Sequence, residues 1–282
     1  MKKILFIAVA FASIITTNIF AQDTTKQVDL DRNYTWLGLG YSAMYFNHQG
    51  LNYVIDRYNN TRQGKPGQAR LTTKMPKFHL LTGPQLSFGH MNNKFENGLF
   101  YEFTFGIYRA DGNAEGINAD STKGSRLLQY RCGYYSLTGG IVPIQSEMLD
   151  IGFGMSADGF LSNVYTSTSA SPSENVQMNT AIGISFFPQI HLFPLTKSFP
   201  AVIVIRPYYY LDILPSDFDN LNEKINPSSY DYETEFEKSK GKFSHLGLRV
   251  TLNIAFVARK QAATQQIKNR PGVKTKKKTS GF

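Results

Sequence analysis

The chain has 282 residues, of which 41% are hydrophobic and 13% aromatic, and its formal net charge is +9. The excess charge lies at the two ends, because Lys2 and Lys3 and the eight basic residues of 258–282 leave 20 basic against 21 acidic residues between 22 and 257. This near-neutral body excludes a nucleic-acid-binding domain, and a single cysteine, Cys132, excludes an internal disulfide framework.

The first 21 residues have the pattern of a secretory signal peptide. Lys2 and Lys3 precede an apolar run from Ile4 to Ile15, and Ala21 supplies a small residue for cleavage. The run is shorter than the roughly 20 apolar residues that a membrane-spanning helix needs. We therefore expect cleavage after Ala21 and export from the cytoplasm.

The rest of the chain up to residue 257 is dominated by strand patterns with a period of two residues. The predicted strands run over 34–46, 77–91, 97–109, 125–139, 148–162, 178–191, 200–213 and 242–257. In the last of them, Leu246, Leu248 and Val250 alternate with Gly247 and Arg249. Such alternation is typical of a strand that separates two different environments.

The connections between the predicted strands alternate in length. Long ones fall at 47–76, 110–124, 163–177 and 214–241, and short ones fall at 92–96, 140–147 and 192–199. This order predicts a single all-β domain over 34–257, an eight-stranded antiparallel up-and-down barrel with its long loops on one rim. Both ends of the barrel domain then lie on the opposite rim.

The first long loop contains a short helical pattern. Leu51, Val54, Ile55 and Tyr58 recur at the spacing of one helix face. We expect this loop helix to be a lid packed on the barrel mouth, and the alternative is a docking element for an external partner. The last long loop is rich in Asp and Glu, which favours a solvated loop over a cation site.

One face of the strands is almost purely aliphatic and aromatic, whereas the other carries glycines and charges. The charges are Glu102, Arg131, Asp150, Asp158, Arg206, Asp212 and Arg249. A soluble barrel with the apolar face in water would aggregate, so the pattern predicts a transmembrane barrel with the charges inside. Because an eight-stranded barrel has room only for packed side chains, we expect a salt-bridged plug, with a narrow ion path as the alternative.

Aromatic residues near the predicted strand ends suggest girdles at the two membrane boundaries. They are Tyr34, Trp36, Tyr45, Phe46, Phe88, Phe100, Tyr101, Tyr108, Phe160, Tyr208, Tyr209 and Tyr210. Pro84, Pro188 and Pro207 fall inside predicted strands, and each is expected to mark a bulge or a strand end.

The last strand, from His245 to Phe256, carries a more specific signal. Its Gly247, Val250, Leu252 and Phe256 resemble the pattern by which the barrel-assembly machinery recognises a final strand. Together with the leader and the eight strands, it resembles the small outer-membrane β-barrel proteins of Gram-negative bacteria, especially Bacteroidota. The resemblance implies an outer-membrane location and contact with outer-membrane lipid and the barrel-assembly machinery. It also implies a structural, adhesive or envelope-interaction role.

The chain shows no catalytic or cofactor signature. Ser244 and His245 are adjacent and so point to opposite faces of a strand, and no Gly-x-Ser-x-Gly elbow or metal-type histidine spacing occurs. We therefore expect a non-enzymatic protein without cofactor or metal, and the alternative is an outer-membrane enzyme acting on lipid A.

The segment 258–282 lacks apolar periodicity and is predicted to be a disordered, periplasmic basic tail. Its charge run ends in Lys274, Lys276, Lys277 and Lys278. These lysines suggest contact with anionic lipid or cell-wall polymer.

Overall fold

A computed structural model describes residues 34–64, 69–92, 98–146, 148–192, 201–227 and 230–257. The predicted signal peptide and the basic tail with its four lysines lie outside the described residues. In chain order, the elements are β1 (Tyr34–Tyr45), α1 (Gln49–Asn60), β2 (Arg70–Thr73), β3 (Leu80–Asn92), β4 (Leu99–Ile117), β5 (Lys123–Gln145), β6 (Leu149–Thr168), β7 (Ser171–Leu192), β8 (Ala201–Asp212), β9 (Ser216–Asp217), α2 (Asp219–Ile225), α3 (Tyr232–Glu235), a 3-10 turn (Glu237–Ser239), β10 (Lys240–Gly241) and β11 (His245–Val257).

The fold is all-β, and its eight long strands are β1, β3 to β8 and β11. They pair antiparallel in chain order, and β11 pairs with β1 over the whole length of β1. The pairings therefore form a ring, although the ring is not evenly closed. Between β7 and β8 the register lapses from Phe186↔Tyr209 to Ile190↔Ile205.

Three of the prolines that lie inside strands, Pro84, Pro188 and Pro207, coincide with uneven pairing. Pro84 pairs with Tyr41 of β1 but has no partner in the register with β4. Pro188 and Pro207 likewise pair only on the sides of β6 and β11, respectively. A proline lacks the backbone N–H that a ladder needs, so each one lies inside a strand with its deficient side at a lapse in pairing.

Two of the four predicted long loops are wrong. The segments 110–124 and 163–177 are mostly strand, because β4 continues to Ile117 and β6 continues to Thr168 before short turns. Their outward side chains, such as Asp111 and Asn113, are polar, so the two segments lack the apolar alternation of the strand stretches that precede them. Cross-strand pairing over the whole length of the hairpins makes these residues strand.

The inner and outer faces of the ring have opposite character. On β11, Leu248 and Leu252 are exposed on the outer face, whereas Arg249 between them is 1% exposed. The same inversion recurs around the ring: large apolar side chains are exposed on the outer face, whereas Glu102, Asp158 and Arg206 are buried. Its consequence is an outer apolar belt, which we define by the outward residues of β4 (Leu99, Tyr101, Phe103, Phe105, Ile107) and their counterparts on the other strands.

The described parts of the two remaining long connections, 46–64, 69–79, 213–227 and 230–244, form a cap over one end of the ring. Phe46 packs against Phe243 with ring centroids 5.2 Å apart, and His48 meets Phe218 at 4.8 Å. Within the described residues, no helix combines the length and the apolar character needed to cross a membrane.

Candidate functional site

The middle of the ring holds a buried ion pair between opposite strands. Arg206 of β8 donates from Nη1 to Oε1 of Glu102 of β4 at 2.6 Å, and both side chains are 4% exposed. Arg206 also donates from Nε and Nη2 to Oε1 of Gln189, at 3.2 and 2.9 Å. Trp36 Nε1 and the Thr104 hydroxyl donate to Glu102 at 3.3 and 2.9 Å. The buried carboxylate therefore has three donors, which offsets much of its desolvation cost.

A second buried pair joins β11 and β6. Arg249 Nη2 lies 3.7 Å from Asp158 Oδ1, and the hydroxyls of Ser156 and Ser185 donate to Asp158 Oδ2. The Arg249 guanidinium also lies 4.4 Å from the centroid of the Tyr208 ring. Cation–π contact adds stabilisation when both groups are removed from water. These contacts make Arg249 part of the packed interior.

Gly247 leaves the space that this arrangement needs. A Cβ at residue 247 would overlap the ring of Tyr208, on which Arg249 lies. The neighbouring strand thus brings an aromatic ring close to the backbone of β11. Packing of this closeness is what an eight-stranded barrel interior allows.

Two more of the predicted interior charges lie at opposite ends of the ring. Asp150, at the start of β6, is fully buried and accepts the backbone N–H of Ser146 at 3.1 Å. Asp212, at the end of β8, accepts the backbone N–H of Phe243 at 2.9 Å. Asp212 therefore links the end of β8 to the cap.

The interior placement predicted for Arg131 is wrong. Arg131 is exposed on the outer face of β5, where Nη2 donates to Gln129 at 2.9 Å and the guanidinium lies 4.6 Å from the Tyr165 ring. The inward positions of this stretch are Tyr130 and Cys132, both fully buried. An arginine is tolerated outside because it lies where the apolar belt ends, paired in register with Arg109.

An aromatic layer fills the ring between the ion pairs and the cap. Tyr134 stacks on Phe160 with centroids 5.8 Å apart, and Phe160 meets Tyr210 edge to face at 4.9 Å. Phe243 covers Phe160 from the cap side at 5.0 Å. Offset and edge-to-face pairs of this kind stabilise a core beyond the area that they bury.

The prediction that aromatic residues near the strand ends form girdles at the membrane boundaries is mostly wrong. Eight of its twelve residues are buried in the interior or under the cap: Tyr34, Trp36, Phe46, Phe100, Tyr108, Phe160, Tyr208 and Tyr210. The other four are exposed on the outer face: Tyr45, Phe88, Tyr101 and Tyr209. Aromatic content near strand ends does not distinguish the two faces, because the interior of a narrow barrel also needs large side chains.

The loop helix α1 lies within the cap. Its predicted inner residues, Leu51, Val54, Ile55 and Tyr58, are all buried. On the same helix, Arg57 forms an ion pair with Glu235 of α3. The helix thus tethers the first long connection to the second.

The residues of the proposed assembly signal face both sides of β11. Gly247 points inward, and Val250, Leu252 and Phe256 are exposed on the outer face. Recognition by the assembly machinery stays a prediction.

The cap contains a serine–histidine contact. His48 Nε2 lies 2.9 Å from Ser216 Oγ, and His48 Nδ1 accepts the backbone N–H of Leu51 at 3.3 Å. A general base in serine catalysis must accept the serine proton. Burial lowers the pKa of His48 to about 4, against a smaller opposing effect of its hydrogen bond with the backbone of Gly241, which makes the ring a weak base.

Two other features bear on catalysis. Ser244 accepts the backbone N–H of Asp212, whereas His245 contacts the Phe243 carbonyl and the Tyr208 hydroxyl. These neighbours therefore do not act as a pair. In the described part of the chain, no three His, Cys, Asp or Glu side chains cluster closely enough to hold a metal ion.

Sequence reasoning missed the neutral partners of the buried charges. Gln189, Trp36 and Thr104 complete the site around Glu102 and Arg206, yet none of them is charged. Their inward position on each strand follows from the alternation. Their meeting across the ring depends on strand register, which a single sequence does not show.

Comparison with known proteins shows a distant similarity to a solved structure. No family model matches the chain, and none of the curated proteins matches it. A solved structure of Ail, the attachment invasion locus protein of Yersinia pestis, in complex with the heparin analogue sucrose octasulfate, is similar with 12% sequence identity and a TM-score of 0.39. The match covers 80% of this chain and 99% of that chain. A similarity this distant carries no argument about ligand or role.

Proposed function

We propose that residues 34–257 form an integral outer-membrane β-barrel of a Gram-negative bacterium, with a sealed interior and a structural, adhesive or envelope-interaction role. The observation that carries the proposal is the inverted polarity of the ring. Large apolar side chains cover the outside, whereas Glu102, Arg206, Asp158 and Arg249 are buried as ion pairs inside. In water the outer surface would be an aggregation hazard, but in a bilayer it is the face that contacts lipid.

The boundary of the apolar belt supports the same placement. On the outer face of β4, Ile107 ends the continuous apolar run that begins at Leu99, and Arg109 follows it. Arg109 pairs in register with Arg131, and Arg131 pairs with Asn163 of β6. Three neighbouring strands thus change from apolar to polar at the same level. A sharp level of this kind is expected at the surface of a bilayer, and it supports a position of the cap outside the bilayer.

A charge inserted into the belt tests the membrane placement. Phe103→Arg places a charge on the outer face of β4 within the belt, and Asn113→Arg places the same charge on the same face beyond it. We expect the first change to lower the free energy of unfolding by about 2–4 kcal/mol in lipid vesicles and the second to leave it nearly unchanged. Urea titration of vesicle-reconstituted protein measures both. Equal effects, or a wild-type protein that stays soluble without detergent, would contradict the proposal.

A sealed interior is also part of the proposal. The two ion pairs and the aromatic layer occupy the ring, and the cap covers one end. In planar bilayers we therefore expect no stepwise conductance. Reproducible single-channel steps would instead support the alternative of a narrow channel. Altered lipid A from cells carrying the protein would support the alternative of an enzyme.

The narrower parts of the proposal rest on the sequence. The last strand resembles the signal by which the barrel-assembly machinery recognises a final strand, and the leader and strands together resemble Bacteroidota-type barrels. The basic residues of 258–282 suit anionic lipid or cell-wall polymer. Deleting residues 260–282 and measuring retention on isolated cell wall tests the second idea. Unchanged retention would reject it.

A further inference from the structure

A cleft lies between the cap and the tips of the two long hairpins. It has a volume of about 290 Å³, and its walls come from the end of α1, from β2, and from the turns that connect β4 to β5 and β6 to β7. Sites for small molecules begin at roughly 300 Å³, so the cleft has the size for a single sugar-sized ligand. All of its walls lie beyond the apolar belt, on the side of the cap.

The described lining of this cleft carries three cations and no carboxylate. The cations are Arg62, Arg70 and Arg126, and all three are half-buried. Arg62 and Arg126 lie over the same Tyr58 ring, 4.0 and 5.6 Å from its centroid. Burial and the nearby charge of Arg126 lower the pKa of Arg62, against a raising effect of Tyr58. The fold thus holds like charges together at one place.

Contacts within the protein leave much of this charge uncompensated. Among the described residues, no Asp or Glu lies within ion-pair distance of the three arginines. Arg62 donates to the carbonyls of Tyr58 and Ile225 and so holds the cap together. Arg126 makes one long bond of 3.4 Å to Thr166. Arg126 and Arg70 therefore keep donors for a ligand.

The remaining lining suits a sugar ring. Ser125, Thr168, Ser169 and Asn118 offer hydroxyl and amide groups, and Leu71, Ala114 and Ile117 offer apolar contact. We propose that this cleft binds a saccharide that carries a phosphate or sulfate ester, with Arg70 and Arg126 contacting the ester oxygens. Guanidinium groups bind such oxyanions through paired charge-assisted hydrogen bonds, and the hydroxyl-lined wall accommodates the ring.

Titration calorimetry of the full chain in detergent micelles tests the assignment. The probes are glucose 6-phosphate, glucose 6-sulfate and glucose. We expect both esters to bind and glucose to bind at least tenfold more weakly, with ester affinity falling as salt is raised. A preference for one ester would identify the source of the ligand as phosphorylated or sulfated saccharide. Equal binding of glucose, or no ester binding at millimolar concentration, would overturn the proposal.

Variants separate the cleft from general surface charge. Arg126→Gln and Arg70→Gln should each weaken ester binding by about ten- to a hundredfold. Arg131→Gln, on the outer face of the same strand as Arg126, should leave it unchanged. An equal loss in Arg131→Gln would overturn the assignment. Arg126→Lys keeps the positive charge but removes the two parallel N–H donors of the guanidinium. A folded Arg126→Lys protein with unweakened ester binding would contradict bidentate contact at Arg126.

Discussion

Removing the charge of Glu102 is the most direct perturbation of the sealed interior. Glu102→Gln keeps the size of the side chain and an oxygen for the donors Trp36 and Thr104, but it removes the charge that faces Arg206 at 2.6 Å. Among the described residues, Arg206 then has only neutral hydrogen-bond acceptors, such as Gln189. An unpaired charge in a buried site costs about 3–5 kcal/mol, and we expect the free energy of unfolding to fall by that amount.

A matched control lies on the same strand. Asp111 pairs with Arg109 at 2.8 Å on the outer face of β4, and both side chains are exposed. Asp111→Asn should therefore change the free energy of unfolding by less than about 1 kcal/mol. The double variant Glu102→Gln with Arg206→Met should recover much of the loss, because a buried pair can be replaced by apolar groups at little cost.

The assay is urea unfolding of vesicle-reconstituted protein, followed by the fluorescence of Trp36, the sole tryptophan of the chain. Because Trp36 contacts Glu102, the substitution can change the fluorescence of Trp36 in the folded state. The folded fraction is therefore also measured by heat modifiability, which is the shift in electrophoretic mobility between unheated and heated samples. If Glu102→Gln and Asp111→Asn cost the same small amount, Arg206 is hydrated. The interior would then be wet, and the proposal of a sealed ring would be refuted.

Two further predictions concern packing and pH. Gly247→Val should lower the free energy of unfolding by about 1–3 kcal/mol, because a Cβ there overlaps Tyr208. Gly133→Val should leave the free energy of unfolding nearly unchanged, because a Cβ there would meet its nearest atom at 4.0 Å. Equal urea midpoints for the two variants would contradict this. The pKa of His48 is about 4 in the cap against 6.5 when exposed, so an opened cap binds the proton more readily. Stability of the closed cap is therefore full above pH 6.5 and falls progressively towards pH 4, by up to about 3 kcal/mol. Amide exchange of α1 should rise in that window, and a His48→Gln variant with the same pH dependence would exclude His48 as its cause.

The strand periodicity predicted much of the ring without any tertiary information. Alternation on β11 separates Leu248 and Val250 from Arg249, and the structure has the same separation between outside and inside. The helical spacing within 47–76 similarly corresponds to α1. Such local patterns are readable because each residue's face follows from backbone geometry alone.

The predictions failed for residue types that suit more than one environment of the barrel. Because Arg131 is charged, the sequence pattern assigns it to the interior. Its strand β5 extends beyond the apolar belt, however, and there the outer face contacts water. Tyr108 and Tyr208 suit a membrane girdle as well as a barrel interior, and both are buried. The level of the membrane and the length of the hairpins depend on neighbouring strands, so no single segment reveals them.

The amino-acid sequence by itself determined the class of the fold, the order of the strands and the face on which most side chains lie, because these follow from a two-residue period and from turn spacing. Only the tertiary structure decided which inward groups meet. Glu102 and Arg206 are 104 residues apart and join across the ring, and Arg62, Arg70 and Arg126 converge through a cap and two hairpins. Contacts of this kind depend on register and closure, which are collective properties of all eight strands.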